Sequence, residues 1–314
     1  MKFKELKVGD NNIVIDALVI DCKLKQTVNQ TPYYALSISD GEDTLDARIW
    51  STSICANLND STITNGNVYT LTVKVNDYAG KNQIIITKIE EVGDDVDLSK
   101  FFKSAPVEIK DIKEYILHTM EEVENPVLKK IVYDLIMPRE DVFFRHQAAI
   151  TMHHNYIGGL AYHVYSMLNI GKTICELYPG LNKDLLMSGI LIHDIGKTKE
   201  ITEDKSPTYS KEGNLLGHIV IGLNMLNEVI TLNGFEGTEE ALALLHMVAS
   251  HHGELEFGSP KEPLIYEALA LHFIDLMDAK MAGCLEAVEK ASPASYTSQI
   301  STLSRKSLYK PDIK

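Results

Sequence analysis

The feature that most constrains the fold of this 314-residue chain is a change in hydrophobic periodicity near residue 92. Before that point, short runs rich in β-branched residues, such as NIVIDALVIDCKL, predict β-strands. After it, segments such as VEIKDIKEYILHTM carry apolar residues at helical spacing and predict amphipathic helices. The sequence therefore predicts two domains, an N-terminal all-β domain and a C-terminal all-α domain. The acidic segment GDDVDLSK, residues 93–100, lies where they join.

The N-terminal pattern predicts a barrel over residues 1–93. YYALSISDGEDTLDARIW alternates apolar and polar residues around a DG turn, and NVYTLTVKVNDYAGKNQIIITKIEEV supplies two further strands. The intervening STSICANLND, residues 51–60, has room for one short helix. Five strands with a helix between the third and the fourth are the order of an OB-fold barrel, so we expect a nucleic-acid-binding domain here.

The C-terminal part of the chain divides further. Residues 94–155 are expected to form a linker and leading helices, and residues 156–292 are expected to form the main helical domain. Residues 293–314 are rich in Ser, Thr and Lys, and we expect them to be a loosely ordered tail.

Composition limits the function classes. The net charge of −14 argues against non-specific binding of polyanions, so any bound nucleic acid must be held by local groups. The four cysteines form no CxxC pair, which favours reduced thiols over a disulfide framework or a thiolate metal site. The N-terminal apolar stretch is interrupted by Asp16, and no run approaches the roughly 18 apolar residues of a membrane span. We therefore expect a soluble, cytoplasmic protein with no membrane partner.

The histidines of the helical part are placed unusually. His193 and Asp194 end the apolar run LLMSGILIHD, where a charge is costly unless it is paired. A single inward histidine is usually a hydrogen-bonded core residue. Here five apolar helices each present inward-facing ligand types: His163, His193 with Asp194, His218, His251 with His252, and Asp275. A shared metal centre is the simplest common cause, because ligation removes the cost of burying these groups.

The adjacent pair constrains the geometry of such a centre. Neighbouring residues on a helix point about 100° apart, so His193 and Asp194 share one ion only if it lies over the helix. Asp194 would then keep one carboxylate oxygen free to bridge to a second ion. Mixed nitrogen and oxygen ligands without thiolate fit Mn, Fe, Co or Zn.

The order of these residues resembles the HD-domain metal phosphohydrolase superfamily, whose signature is H…HD…D with further histidines in members that hold two metals. The resemblance assigns residues 156–292 as the HD domain. It implies a first metal site made of His163, His193, Asp194 and Asp275. It implies a second site made of Asp194, His218 and one of His251 or His252. Which of the two adjacent histidines binds the metal, and which contacts phosphate, stays open.

The combination of barrel and HD domain resembles the YhaM-type 3′→5′ exoribonucleases, and HHNYIGGLAYH and HDIGKTKE carry most of that resemblance. The resemblance implies hydrolysis of single-stranded RNA, with single-stranded DNA as an alternative substrate. It also implies two divalent ions with Mn²⁺ favoured over Co²⁺, Fe²⁺ or Zn²⁺, and the chain is a candidate homo-oligomer. His193 and Asp194 would then anchor catalysis.

Other polar residues are candidates for substrate contacts. Lys197 follows the His-Asp pair by one turn and could neutralise a phosphate oxygen; the alternative is a lysine that interacts with a helix C-terminus. His153 and His154 are candidates for the substrate path, and otherwise they are surface residues at a helix entry. Arg145 and Lys199 are further candidates.

Aromatic residues of the barrel are candidates for base stacking. These are Tyr33, Tyr34, Trp50, Tyr69 and Tyr78. The alternative is that they pack the barrel, as tyrosine and tryptophan in strands commonly do.

Two other functions remain open at this point. One is a phosphohydrolase of small nucleotides, in which the barrel would regulate or assemble the protein. The other is a non-catalytic single-strand-binding protein with a structural metal, although structural zinc sites usually contain cysteine. A cyclic-dinucleotide phosphodiesterase of the HD-GYP type is disfavoured because HHGELEFGSPKEP lacks the GYP segment. A guanosine tetraphosphate hydrolase is disfavoured because IGK, and not acidic residues, follows the His-Asp pair.

Overall fold

The structure is a computed structural model of the chain. It describes all residues except 1, 51–62, 79–80, 93–95, 97, 102–105, 147–157, 203–207 and 314. The chain divides into two compact units, one formed by residues 1–103 and the other by residues 104–203 and 208–314. The division falls within the segment that the sequence predicts as linker and leading helices.

The first unit is a closed barrel of five strands in the order β1-β2-β3-β5-β4. The strands are β1 (Ile13–Gln26), β2 (Pro32–Ser39), β3 (Thr44–Trp50), β4 (Val68–Tyr78) and β5 (Lys81–Glu91). β3 pairs with β5 in parallel, and the other pairs are antiparallel. This confirms the predicted OB-like barrel. The helix predicted at residues 51–60 lies outside the described residues.

The alternation along the strands explains the barrel core. Side chains of successive strand residues point to opposite faces, and the buried apolar residues of β2 and β3 lie two positions apart: Leu36 and Ile38, and Ala47 and Ile49. The turn between these strands contains Gly41 with a φ of +88°, which favours glycine. Asp40, beside it, accepts backbone N–H groups from Phe3, Glu42 and Asp43.

The second unit is helical, as predicted. Its α-helices in the described residues are α1 (Ile109–Glu122), α2 (Pro126–Ile136), α3 (Glu140–Arg145), α4 (Gly159–Leu177), α5 (Lys183–Ile192), α6 (Lys197–Glu200), α7 (Lys211–Asn233), α8 (Glu239–Ser250) and α9 (Tyr266–Lys290). Side-chain oxygens cap the N-termini of four of them, at Asn125, Asn182, Ser210 and Thr238.

Helix α5 lies at the centre of this unit. It contacts α1, α2, α4, α8 and α9, and every residue from Leu186 to Ile192 is buried. A helix that is apolar on all sides is expected in such a position. The residues that directly follow α5 are therefore delivered into the middle of the helical bundle.

Among the described helices, α7 is long and apolar enough to cross a membrane, judged by length and composition alone. Only 39% of its most apolar window is buried. However, it contacts α2, α6 and α8, and its backbone is kinked at Gly217. These contacts identify it as a packed helix of the second unit.

The C-terminal segment is folded, so the expectation of a loosely ordered tail is wrong. Strands β6 (Ser295–Tyr296) and β7 (Tyr309–Lys310) pair antiparallel. The Lys310 ammonium donates to the carbonyls of Val288 and Ala291, each at 2.9 Å. These contacts attach the segment to the C-terminal end of α9, where a cation interacts favourably with the helix dipole.

Candidate metal centre

Five helices deliver the predicted ligands to one place. His163 lies on α4, and His193 and Asp194 directly follow α5. The remaining residues are His218 on α7, His251 and His252 directly after α8, and Asp275 on α9. The structure thus brings together all seven residues that the sequence predicts as metal ligands, although their roles stay predictions.

The first group consists of His163, His193 and Asp275, whose ligand atoms lie within 4.8 Å of one another. The Nε2 atom of His163 is 3.3 Å from Asp275 Oδ1 and 3.3 Å from His193 Nε2. His163 and His193 are almost completely buried.

The second group consists of His218, His251 and His252, whose ligand atoms also lie within 4.8 Å of one another. The ring centroids of His251 and His252 are 4.4 Å apart, and those of His218 and His252 are 5.1 Å apart. Both adjacent histidines therefore lie in this group, so the geometry leaves open which of them would bind a metal.

Asp194 lies between the two groups and directs one carboxylate oxygen to each. Its Oδ2 atom is 3.4 Å from His193 Nε2 and 3.7 Å from His163 Nε2. Its Oδ1 atom is 3.5 Å from His218 Nε2 and 3.7 Å from His251 Nε2. This is the arrangement expected of a carboxylate that bridges two ions.

The imidazole rings are held in the tautomer that a metal requires. The Nδ1–H of His193 donates to the Ile190 carbonyl, and that of His251 donates to the Val248 carbonyl, both at 2.8 Å. A carbonyl can only accept, so Nδ1 carries the proton and the Nε2 lone pair points to the centre.

Carboxylates orient the rings of His163 and His218 in the same way. His163 Nδ1 is 2.7 Å from Asp278 Oδ2, and His218 Nδ1 is 3.3 Å from Glu200 Oε1. Carboxylate–histidine pairs of this kind are common around protein-bound metals.

Unsatisfied polar atoms test whether a cation fits. Asp194 Oδ1, His218 Nε2 and His251 Nε2 are buried without a hydrogen-bond partner among the described residues. Leaving such atoms unpaired costs about 1–3 kcal/mol each, and more for a charged group. A divalent cation would satisfy all three at once, and the nitrogen and oxygen donors suit a first-row transition metal. The residues therefore fit a metal centre.

The electrostatics favour the charged forms of Asp194 and His163 in this buried site. Burial opposes ionisation of Asp194, but the charge of Lys197, together with the interaction with His193, holds the pKa of its carboxyl well below the usual range. Burial likewise disfavours the His163 imidazolium, yet Asp275 and Asp278 raise the pKa of His163 to about 10. A metal that binds His163 must therefore displace a proton near neutral pH.

Three glycines explain why the chain folds this way locally. A Cβ atom on Gly196 would lie 2.0 Å from the His218 carbonyl oxygen, so the segment after Asp194 can approach α7 only with glycine there. Gly217 has a φ of +72°, which interrupts α7 one residue before His218. Gly253 has a φ of +81° directly after His252 and lies against the His272 ring.

The other predicted contact residues are placed as follows. The Lys197 ammonium lies 2.6 Å from Asp194 Oδ2, directly beside the centre. Arg145 and Lys199 are exposed. His153 and His154 lie outside the described residues.

Sequence reasoning missed three residues that support the ligands. Asp278 and Glu200 accept hydrogen bonds from ligand rings, and the Ser166 hydroxyl donates to Asp278. Asp278 could have been found, because it follows Asp275 by three positions on the same helical face. Glu200 could not, because only tertiary contact brings it to His218.

On the barrel, Tyr33 and Trp50 form a pair across β2 and β3, with ring centroids 5.1 Å apart. The Arg48 guanidinium lies 5.3 Å from the Tyr33 ring centroid. Tyr34, by contrast, packs against the barrel core, and Tyr69 is buried, as the packing alternative expects. Tyr78 ends β4, and its side chain lies outside the described residues.

Comparisons with known proteins agree with this architecture. Residues 160–280 match the HD domain family. The 3′-5′ exoribonuclease YhaM of Halalkalibacterium halodurans is 38% identical over 286 residues, which cover 90% of this chain and 88% of that protein. The YhaM of Bacillus subtilis is 36% identical over 285 residues, which cover 90% of each chain. The chain therefore belongs to the family of HD-domain proteins named 3′-5′ exoribonuclease YhaM.

Proposed function

We propose that this chain is a metal-dependent 3′→5′ exoribonuclease that hydrolyses the phosphodiester bonds of single-stranded RNA. The observation that carries the proposal is the position of Asp194, whose two carboxylate oxygens face two separate histidine groups. In a chain that belongs to the YhaM family, this arrangement is the one expected of a two-metal phosphodiesterase.

The distances in the centre support one assignment of residues to the two ions. One ion would be bound by His163, His193, Asp194 and Asp275, and the other by Asp194, His218 and the His251–His252 pair. We propose Mn²⁺ as the ion, in keeping with the absence of thiolates among these donors. When bound, such ions supply Lewis-acid activation of water and neutralise phosphate charge.

Lys197 adds a positive charge from the chain itself. Its ammonium lies beside Asp194, and although burial opposes the charge, Asp194 raises the pKa of Lys197. Lys197 therefore stays protonated at neutral pH and can donate to a phosphate oxygen next to the centre. It is a local positive charge in a chain whose net charge of −14 disfavours the approach of RNA.

The barrel would hold the single strand. Tyr33, Arg48 and Trp50 lie on the outer face of β2 and β3, opposite the buried Leu36 and Ile49. Aromatic and guanidinium planes of this kind stack on unpaired bases, and this contact does not depend on sequence. Binding through stacking is suited to an acidic chain because it relies less on phosphate contacts.

A time course on 5′-labelled single-stranded RNA tests the proposal. With Mn²⁺ we expect a descending ladder of products, each shorter by one nucleotide, and no cleavage in the presence of a chelator. RNA labelled at its 3′ end should release labelled mononucleotide at once.

Three outcomes would contradict the proposal. A lone internal product would indicate an endonuclease. Hydrolysis of free nucleotides without RNA decay would indicate a small-nucleotide phosphohydrolase. RNA that is bound but never shortened, with or without Mn²⁺, would indicate a non-catalytic binder.

A further inference from the structure

Glu200 makes two hydrogen bonds to one residue of the metal centre. Its Oε1 atom accepts the backbone N–H of His218 at 2.9 Å and lies 3.3 Å from the Nδ1 atom of the same histidine. Glu200 is only 8% exposed, so these bonds are shielded from water. A single carboxylate oxygen therefore fixes both the backbone and the ring of His218.

The kink in α7 explains why this contact is needed. Gly217, with a φ of 72° and a ψ of 160°, interrupts the helix, so His218 begins a new helical segment. The first N–H groups of a helical segment have no partner within it. Glu200 supplies that partner for His218, although it lies on a different helix.

The backbone of Glu200 is itself anchored to the start of α7. Its carbonyl accepts the N–H of Ser210 at 2.8 Å, and a Cβ atom on Gly213 would lie 2.2 Å from the same oxygen. The Glu200 side chain therefore extends toward His218 from a backbone that is fixed against the start of α7.

Each histidine group contains one ring that is anchored by a backbone carbonyl and one ring that is anchored by its own carboxylate. His193 and His251 donate to carbonyls three residues earlier in their own chain segments, so these rings are set by local geometry. His163 is held by Asp278, and His218 is held by Glu200. Loss of Glu200 should therefore affect the second group and leave the first intact.

We infer that Glu200 is the positioning residue of the second metal site, and that its carboxylate sets the affinity of the site formed by His218, His251, His252 and Asp194 Oδ1. Removal of a group that orients a metal ligand typically costs 10–100-fold in metal affinity. The inference rests on the proposed two-metal function and deepens it, because it assigns separate control of the two sites.

Titration of the metal-free full-length protein with Mn²⁺ by calorimetry, together with elemental analysis of bound metal, tests this inference. Wild type should bind two ions. Glu200→Ala should weaken one site at least tenfold and leave the other unchanged, as His218→Ala should. Glu200→Gln keeps an oxygen acceptor but loses the charge, so we expect a smaller loss, about threefold, at the same site.

Asp278→Asn is the matched control, because it should weaken the other site and reproduce the isotherm of His163→Ala. Two unchanged sites in Glu200→Ala, or equal loss at both, would overturn the inference. If circular dichroism shows that Glu200→Ala is unfolded, Glu200→Gln decides alone, and unchanged affinity then overturns it. Wild type that binds no Mn²⁺ at all would instead contradict the proposed function.

Discussion

Asp40 in the barrel and Asp194 in the helical unit are both only 3% exposed, but their surroundings differ. Three backbone N–H groups donate to Asp40, at 2.6, 2.8 and 3.0 Å. Asp194 instead faces imidazole nitrogens, and its Oδ1 atom has no hydrogen-bond partner in the described part of the chain. The Asp40 carboxylate is satisfied by the fold, whereas the Oδ1 atom of Asp194 is left for a ligand.

This difference distinguishes a carboxylate that is buried because it stabilises the fold from one that is buried because it forms a site. The bonds to Asp40 hold the β2–β3 turn and the N-terminal segment together, so its charge contributes to folding. In the helical unit, Asp194 Oδ1 and the Nε2 atoms of His218 and His251 have no hydrogen-bond partner among the described residues, and the burial of these atoms therefore costs stability in the absence of metal. A buried polar group without a partner is thus a better indication of a site than burial alone.

The largest expected effect comes from replacing these two aspartates by asparagine. Asp194→Asn should lower the rate of RNA hydrolysis by more than about 10³-fold, or about 4 kcal/mol in the barrier, because the bridging charge is lost. Bound metal should fall, while helical content persists. Hydrolysis rates, elemental analysis and circular dichroism measure these changes.

Asp40→Asn is the control for this experiment. Its amide NH₂ would face an N–H donor, so we expect a loss of about 1–3 kcal/mol in the free energy of unfolding and unchanged turnover per folded molecule. Turnover by Asp194→Asn at the wild-type rate would refute the functional assignment.

The convergence of the candidate ligands could be predicted from the sequence because each of them stands out in its own apolar segment. His193 and Asp194 interrupt an apolar run, and the other ligands recur at inward positions of separate helices. The supporting geometry could not be predicted in the same way. Glu200 reaches His218 at the kink of α7 at Gly217, where α6 packs on α7, and this contact between two helices is a tertiary property.

Gly196 tests this packing. Its substitution by alanine would place a Cβ atom 2.0 Å from the His218 carbonyl oxygen and 2.7 Å from the Gly222 nitrogen. Because both are backbone atoms, α7 must move, and we expect a loss of about 1–3 kcal/mol in the free energy of unfolding together with weaker metal binding at the second site. Urea unfolding and Mn²⁺ titration measure the two effects.

Gly180→Ala is the matched control for Gly196→Ala, since a Cβ atom there would make only ordinary contact with Tyr266 at 3.7 Å. We expect its stability to stay within about 0.5 kcal/mol of wild type. A Gly196→Ala protein with wild-type stability would show that α6 and α7 do not pack as described.

A smaller effect is expected on the barrel, where the candidate residues lie on the outer face. Trp50→Ala should weaken binding of long single-stranded RNA about 10-fold, since one base stack contributes about 1–3 kcal/mol. Cleavage of very short substrates should stay unchanged, because the metal centre is intact. Fluorescence anisotropy measures the affinity.

Val14→Ala is the control, because Val14 is exposed on β1 and pairs with β4. Equal affinity of Trp50→Ala and wild type would remove the stacking role.

The sequence predicted these aromatics only in part. Strand alternation places Tyr33 and Tyr34 on opposite faces, and Tyr34 shares its face with the apolar Leu36 and Ile38. The register that pairs Tyr33 with Trp50 is a tertiary property, and it also brings Arg48 to the same surface. Arg48 was missed because a single arginine in a strand carries no pattern.

The smallest expected effect distinguishes two histidines near the C-terminal end of α8. The Nε2 atom of His251 has no hydrogen-bond partner among the described residues, whereas that of His246 accepts the backbone N–H of Leu264 at 2.8 Å. Burial, and then the charge of Lys261, holds the pKa of His246 below its ordinary value of 6.5. The neutral ring is therefore the form that the fold stabilises.

The pH dependence follows from the direction of this shift. In the unfolded chain His246 is protonated as the pH falls through about 6.5, whereas in the folded protein its imidazole is protonated only at lower pH. Its contribution to stability is thus present above pH 6.5 and is lost as the pH falls through the pKa of the folded state. In His246→Gln, the amide oxygen can accept the same N–H without titrating. Urea unfolding from pH 7.5 to pH 5 measures the free energy of unfolding of both proteins. The other histidines contribute equally to both, so their effect cancels in the difference. Below about pH 6.5, wild type should lose stability relative to the variant. A difference that stays constant across this range would show that the hydrogen bond from Leu264 does not select the neutral ring.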